Sequence, residues 1–261
     1  IPAALDELIF SMMSSDSSKR PGSAEDVFRE LATLTEQVHQ SDLDSRKAYL
    51  RMADFVGRDS ELQTLRAKLS DVEAGNGACC FVSGQTGSGK SRLLHELQLD
   101  ALLRGFATAG VEIREEYRAP YQSLAILLKS LVPLAIESGE LPAKSIALSR
   151  LLPDLVNSDS ADRTGASPLE ERGILIEETI HWLLQLEKHR PIVLMADDLQ
   201  WSDESSLLVM RAVSRQISSS RILFLGAFRI DEVDAGSDLE QWFYMDGTSL
   251  VQVPPFDDEQ M

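Results

Sequence analysis

Four residues in one short stretch have the types and spacing to grip a polyphosphate. Gly84, Gly89, Lys90 and Ser91 fit the phosphate-binding loop pattern (glycine, four residues, glycine, lysine, serine) within ACCFVSGQTGSGKSRLL, 78–94. In such a loop the main-chain N–H groups along Gly84, Gln85, Thr86, Gly87, Ser88, Gly89 and Lys90 turn into one concavity, backed by a helix N-terminus. Glycine at 87 and 89 keeps a Cβ away from the phosphates. Lys90 would reach the β- and γ-phosphates, the Ser91 hydroxyl would ligate Mg²⁺, and Arg92 closes the segment.

A site of this kind has a second half, an apolar strand ending in a carboxylate. PIVLMADD (191–198) supplies it. Asp197 is placed to hold Mg²⁺ through water. Asp198 is placed to orient or polarise an attacking water; either aspartate could instead cap the turn that follows. Aspartate is one carbon shorter than the glutamate many such enzymes carry there, so hydrolysis is expected to be slow.

The elements that must position these groups are legible in the spacing. Leu62, Leu65, Leu69 and Val72 recur at helical intervals and AGNG (74–77) ends that helix. A strand over 78–83, a helix over 90–103, a strand over 106–113 and a helix over 121–136 follow. NSDSADRTGAS reads as an exposed loop. Ser167, Pro168 and Glu170 make a capping box that opens a helix running to about Lys188. Then come strand 191–198, a helix over about 202–217, strand 221–228 and a last strand over 249–253. Alternation of this kind predicts an α/β fold, a parallel sheet sandwiched by helices. Ahead of it, residues 1–36 read as a short all-α fragment and the polar stretch 37–53 as a linker.

The bulk numbers narrow the function. The 261 residues carry 25 basic and 42 acidic groups, a formal net charge of −17. Nucleic-acid affinity is mostly lysine and arginine on phosphate, so this balance disfavours non-specific nucleic-acid binding. The only cysteines, Cys79 and Cys80, are neighbours in an apolar run. On a strand they would face opposite ways, as small core residues in a reducing compartment. No apolar run reaches the length of a membrane helix and no signal peptide is visible, which suits a cytoplasmic piece of a longer chain. His39, His95, His181 and His189 share no metal-ligand spacing.

FVGRDSEL (55–62), GQTGSGKSRLL (84–94), RAPYQSL (118–124), VLMADDLQWSDESSL (193–207) and LFLGAFRIDEV (223–233) occur in that order. Together they resemble the AAA-type P-loop module of STAND ATPases, related to the Orc1-like AAA family, over about residues 54 to 256, within an ATPase core expected over 54–261. The resemblance implies ATP and Mg²⁺ as ligands. It implies that Phe55, Val56, Gly57 and Arg58 border the adenine, and that Arg229 senses the γ-phosphate. Trp201 and Asp203 match a recurrent W-x-D; packing and helix capping are the plainer readings for them, as a structural role is for Tyr121. PAALDELIFSMMSSDSSKRPGSAEDVFREL is similar to the last helices of a serine/threonine protein-kinase C-lobe, without that enzyme's catalytic groups. The combination implies a nucleotide switch with slow ATP hydrolysis inside a multidomain signalling protein, or else a nucleotide-binding scaffold regulating an attached kinase. Its partners would be ATP and ADP, other domains of the same polypeptide, and further copies in a nucleotide-dependent oligomer.

Overall fold

The computed structural model describes residues 11–12, 57–117, 119–142, 146–152 and 167–255. The chain divides into two compact units, 1–55 and 56–261. Apart from the helical Ser11 and Met12, the N-terminal helices and linker expected over 1–53 lie outside the described residues, as do Phe55 and Val56.

In the second unit five strands form one parallel sheet: β1 (Ala78–Ser83), β2 (Ala107–Glu112), β3 (Ile192–Asp197), β4 (Ile222–Phe228) and β5 (Thr248–Gln252). Their spatial order is β2-β3-β4-β1-β5, and every neighbouring pair is parallel. Among the described residues of this unit the α-helices are α1 (Asp59–Glu73), α2 (Lys90–Leu103), α3 (Gln122–Lys129), α4 (Val132–Ser138), α5 (Ile146–Leu151), α6 (Pro168–Leu186), α7 (Glu204–Gln216) and α8 (Asp238–Phe243). The expected α/β sandwich is found.

Strand alternation decides which helix covers which face. Cys79, Phe81, Ala109, Val111, Leu194, Phe224 and Phe228 share one core with α3, α6, α7 and α8. Cys80, Val82, Val193, Leu223 and Leu225, equally buried, turn the other way, where α1 and α2 lie. The chain leaves β1 for the far edge of the sheet and then steps back through β3 and β4. With right-handed crossovers, that reversal puts α2 opposite α6 and α7. The connections after β1 and β4 therefore diverge, opening a crevice at the carboxyl ends of these strands.

Phe81 centres the first core. Its ring meets Trp242 edge-on at 5.1 Å and Phe228 at 6.1 Å. Trp242 is fully buried, and its indole N–H donates to Ser214 Oγ at 2.9 Å. A Cβ added at Gly226 would come within 2.9 Å of the Phe81 ring and 2.3 Å of Leu199 Cδ1, so only glycine fits there. Burial pushes the Cys79 thiol up to about 12 and raises that of Cys80 as well.

Two expectations need correction. The helix read over 121–136 is two helices broken at Ser130 and Leu131. Pro133 explains the break: its ring collides with the carbonyl four residues back, on Lys129, and it has no N–H to give. A short helix, α8, also stands between β4 and β5, where only a strand near 249 was expected. Ser237 starts it by accepting from the Glu240 N–H.

Candidate nucleotide-binding site

Residues 84–89 join β1 to α2 at the carboxyl edge of the sheet. Gly87 has φ +78° and Gly89 φ +92°, a left-handed backbone that favours glycine at both positions. Gly84 is needed for a different reason. A Cβ there would lie 2.5 Å from the Val253 carbonyl oxygen and 2.7 Å from Ser88 Oγ. That close approach continues the sheet, since the Val253 N–H donates to Ser83 O at 2.7 Å. The first bond within α2 runs from the Leu93 N–H to Gly89 O. The amides of Gly89, Lys90 and Ser91 thus belong to the first turn, where a helix offers no internal acceptor.

Lys90 is only 6% exposed and folds back over the loop, donating to Gly84 O at 2.9 Å and Gln85 O at 2.8 Å. Burial lowers its pKa, partly offset by Asp197 and Asp198. Ser88 Oγ is buried with no hydrogen-bond partner. Gln85, Thr86 and Gly87 are exposed. Arg92 pairs with Glu96 one turn along α2, Nη2 to Oε1 at 2.7 Å.

The acidic half comes from the end of β3. Burial, and then the neighbouring Asp198 charge, push the Asp197 pKa upward, while the nearby Ser91 hydroxyl pulls it back down. An open cleft of about 600 Å³ begins at this pair and runs between α2 and β2, past His95, Gln98, Thr108 and Glu112. Asp198 departs from the strand with φ 57° and ψ 46°, one of two non-glycine residues in the left-handed region among those described. Its Oδ1 accepts from Gln200 Nε2 at 2.9 Å and pairs with Arg229 Nε at 3.3 Å.

Arg229 stands just past β4, the strand between β1 and β3. Its guanidinium carbon lies 4.6 Å from the centre of the Trp201 ring, and Nη1 reaches Glu232 Oε1 at 2.7 Å. Glu232 first, and Asp198 after it, hold the Arg229 pKa up. Trp201 thus carries a cation on its face besides packing.

Asp203 caps α7, accepting from the Ser206 N–H at 2.8 Å. It also accepts from the Tyr121 N–H at 2.8 Å, where Tyr121 takes a left-handed φ of 63° to start α3. Ser206 completes the joint by accepting from the Leu124 N–H at 3.0 Å. The two motifs RAPYQSL and WSDESSL therefore meet as one structural joint.

Gly57 has φ +76°, and Arg58, 3% exposed, braces α1 against the end of β5 by donating to Pro254 O at 2.5 Å. Gln200, absent from the expected site, touches Asp198, Arg229 and Glu232 at once. No spacing pattern could single it out.

The donor set suits a polyphosphate with Mg²⁺. A buried ammonium resting on carbonyls, an unpartnered buried hydroxyl at Ser88 and first-turn amides are what an anion would engage. Among the described residues no three His, Cys, Asp or Glu side chains gather as a metal cage. One hydroxyl with one carboxylate is the smaller set that Mg²⁺ shared with phosphates uses.

Residues 54–225 match the AAA ATPase domain family. No curated protein matches the chain. Among solved structures it is similar to the Aeropyrum pernix Orc1 protein in complex with DNA, with 16% identity and TM-score 0.45, over 79% of this chain and 47% of that one. Drosophila ORC bound to DNA gives 16% identity and TM-score 0.43, over 100% of this chain and 56% of that one. Rhizobiales Trip13 gives 11% and 0.42, over 84% and 68%. The chain thus spans about half the length of the first two structures. With the family matched over about two thirds of its residues, the chain belongs to the AAA ATPase domain family.

Proposed function

We propose that this unit binds ATP with Mg²⁺ in the crevice beyond β1, β3 and β4 and hydrolyses it slowly. The observation that carries the reading is Lys90, buried against its own loop within the electrostatic reach of Asp197 and Asp198. The loop amides and Lys90 would bind the phosphates, with Gly57 and Arg58 among the residues at the adenine side. Ser91 and Asp197 would hold Mg²⁺, which would supply charge neutralisation for the phosphates. Asp198 would take a proton from water as its oxygen bonds the γ-phosphorus and the bond to the departing ADP breaks. Arg229 would counter the charge on the transferred group.

A second reading, nucleotide binding with negligible turnover, has its own support. The short Asp198 side chain is already tied to Arg229 and Gln200. Calorimetric titration with ATP, with and without Mg²⁺, tests binding: Lys90→Ala should weaken it about 10- to 100-fold. Phosphate release then separates the two readings. An ATPase loses its rate in Asp198→Asn, whereas a scaffold shows the same background in both proteins.

The wider setting we propose is a STAND-type switch in a cytoplasmic signalling protein, following a kinase C-lobe tail at 1–36 and a linker at 37–53. Its support is the order of sequence motifs. Nucleotide state should then alter the hydrodynamic size of the intact protein; an unchanged size in ATP and ADP would defeat the switch.

A further inference from the structure

We propose that Gln200 is a positioning residue that sets Asp198 and Arg229 as one unit, an inference that rests on the ATPase reading above. Gln200 sits in the 3₁₀ turn Leu199–Trp201 directly after β3, while Arg229 follows β4. Its carboxamide bridges the two strand ends. The Arg229 backbone N–H donates to Gln200 Oε1 at 3.2 Å. Gln200 Nε2 donates to Asp198 Oδ1 at 2.9 Å and to Glu232 Oε2 at 3.3 Å.

This arrangement admits one orientation of the amide. A backbone N–H can only donate and ionised carboxylates can only accept, so the oxygen must face Arg229 and the nitrogen the two acids. Glutamate has the same shape but no donor, and it would add a third negative charge. Alanine has neither partner to offer.

What the amide holds is costly to hold. Asp198 has a left-handed backbone at a residue with a Cβ, a conformation that persists only where its surroundings over-determine it. Gln200 and Arg229 both contact Asp198 Oδ1, so the carboxylate is held from two sides through one oxygen. Glu232, the other acid on Gln200, also anchors Arg229 Nη1, and Trp201 supports the guanidinium face. Removing the amide therefore loosens the carboxylate and the cation together. It leaves the phosphate loop untouched.

The test uses the 261-residue chain with Gln200→Ala and Gln200→Glu. Three quantities are read: ATP affinity by calorimetry, kcat for phosphate release, and the NMR signal of the Arg229 Nε–H proton. The guanidinium carbon beside it lies 4.6 Å from the Trp201 ring centre, close enough for the ring to shift that proton, and Nε itself pairs with Asp198 Oδ1; Arg229→Lys assigns the signal. We expect ATP affinity within about twofold of wild type, because no phosphate ligand is lost. We expect kcat to fall at least about tenfold in Gln200→Ala, and further in Gln200→Glu. The Arg229 signal should move toward its unstacked position in both.

An unchanged kcat in both variants, or an Arg229 signal that stays put, overturns the proposal. So does a fall in ATP affinity matching the fall in kcat, which would make Gln200 a general binding residue. Should wild type show no turnover, the ATPase reading itself fails; the Arg229 signal then decides the positioning claim alone. Should Gln200→Ala fail to fold, the isosteric Gln200→Glu carries the same three readouts.

Discussion

At the scale of single residues, the candidate site holds two charges in tension. Lys90 is pushed toward its neutral form by burial, and Asp197 likewise. The sign for Asp197 follows from linkage. Its folded pKa is raised above the ordinary 3.8, so the native state takes up a proton more readily than the unfolded chain. Its ionisation therefore costs stability at neutral pH, and that cost fades as pH falls through the raised value and is gone below about 3.8. Asp197→Asn should melt higher than wild type at pH 7, by about 2–4 °C for each kcal/mol relieved. Thermal scans from neutral to acid pH check this: the gap should close on acidification. The same variant should lose the Mg²⁺ dependence of nucleotide binding, which calorimetry reads separately. A variant that melts at the wild-type temperature at every pH would show that burial does not strain this carboxylate.

At the scale of elements, one aspartate starts two helices. Asp203 takes the amide of Ser206 at the head of α7 and that of Tyr121 at the head of α3. Asp203→Ala should lower the unfolding free energy by about 2–3 kcal/mol, more than one ordinary cap, because two helix starts lose their acceptor. Urea denaturation measures it as a lower midpoint with an unchanged slope. Capping of α7 could be read from Asp203 and its following helical stretch. The bond to Tyr121 could not, because it spans 82 residues and depends on how α3 and α7 pack. The same distinction runs through the molecule. The strands were legible because burial on both faces writes them as apolar runs, and the phosphate loop because its glycines and lysine are contiguous. The left-handed turn at Asp198 and the bridge made by Gln200 arise only when the ends of β3 and β4 lie side by side. The break between α3 and α4 is intermediate: Pro133 announces it locally, yet the apolar stripe reads through.

At the scale of the whole molecule, the net charge of −17 acts against compaction and against polyanions. Among the described residues no helix is long and apolar enough to cross a membrane. Raising salt from about 0.02 M to about 0.3 M should screen the self-repulsion and raise the melting temperature, as differential scanning calorimetry would record. Fluorescence anisotropy with a random duplex DNA should show no uptake at physiological ionic strength. Tight binding there would mean that local basic groups outweigh the total.

The strand β4 lies between the one that leads into the phosphate loop and the one that ends in the paired aspartates. Neighbouring strands sit about 4.8 Å apart, so the two halves of the crevice are spaced by two such steps, roughly 10 Å. A width made of whole strands cannot be trimmed by a fraction. On the proposed reading, the short reach of the Asp198 side chain is therefore one that the sheet has no means to extend, and any added reach must come from side chains and turns at its rim.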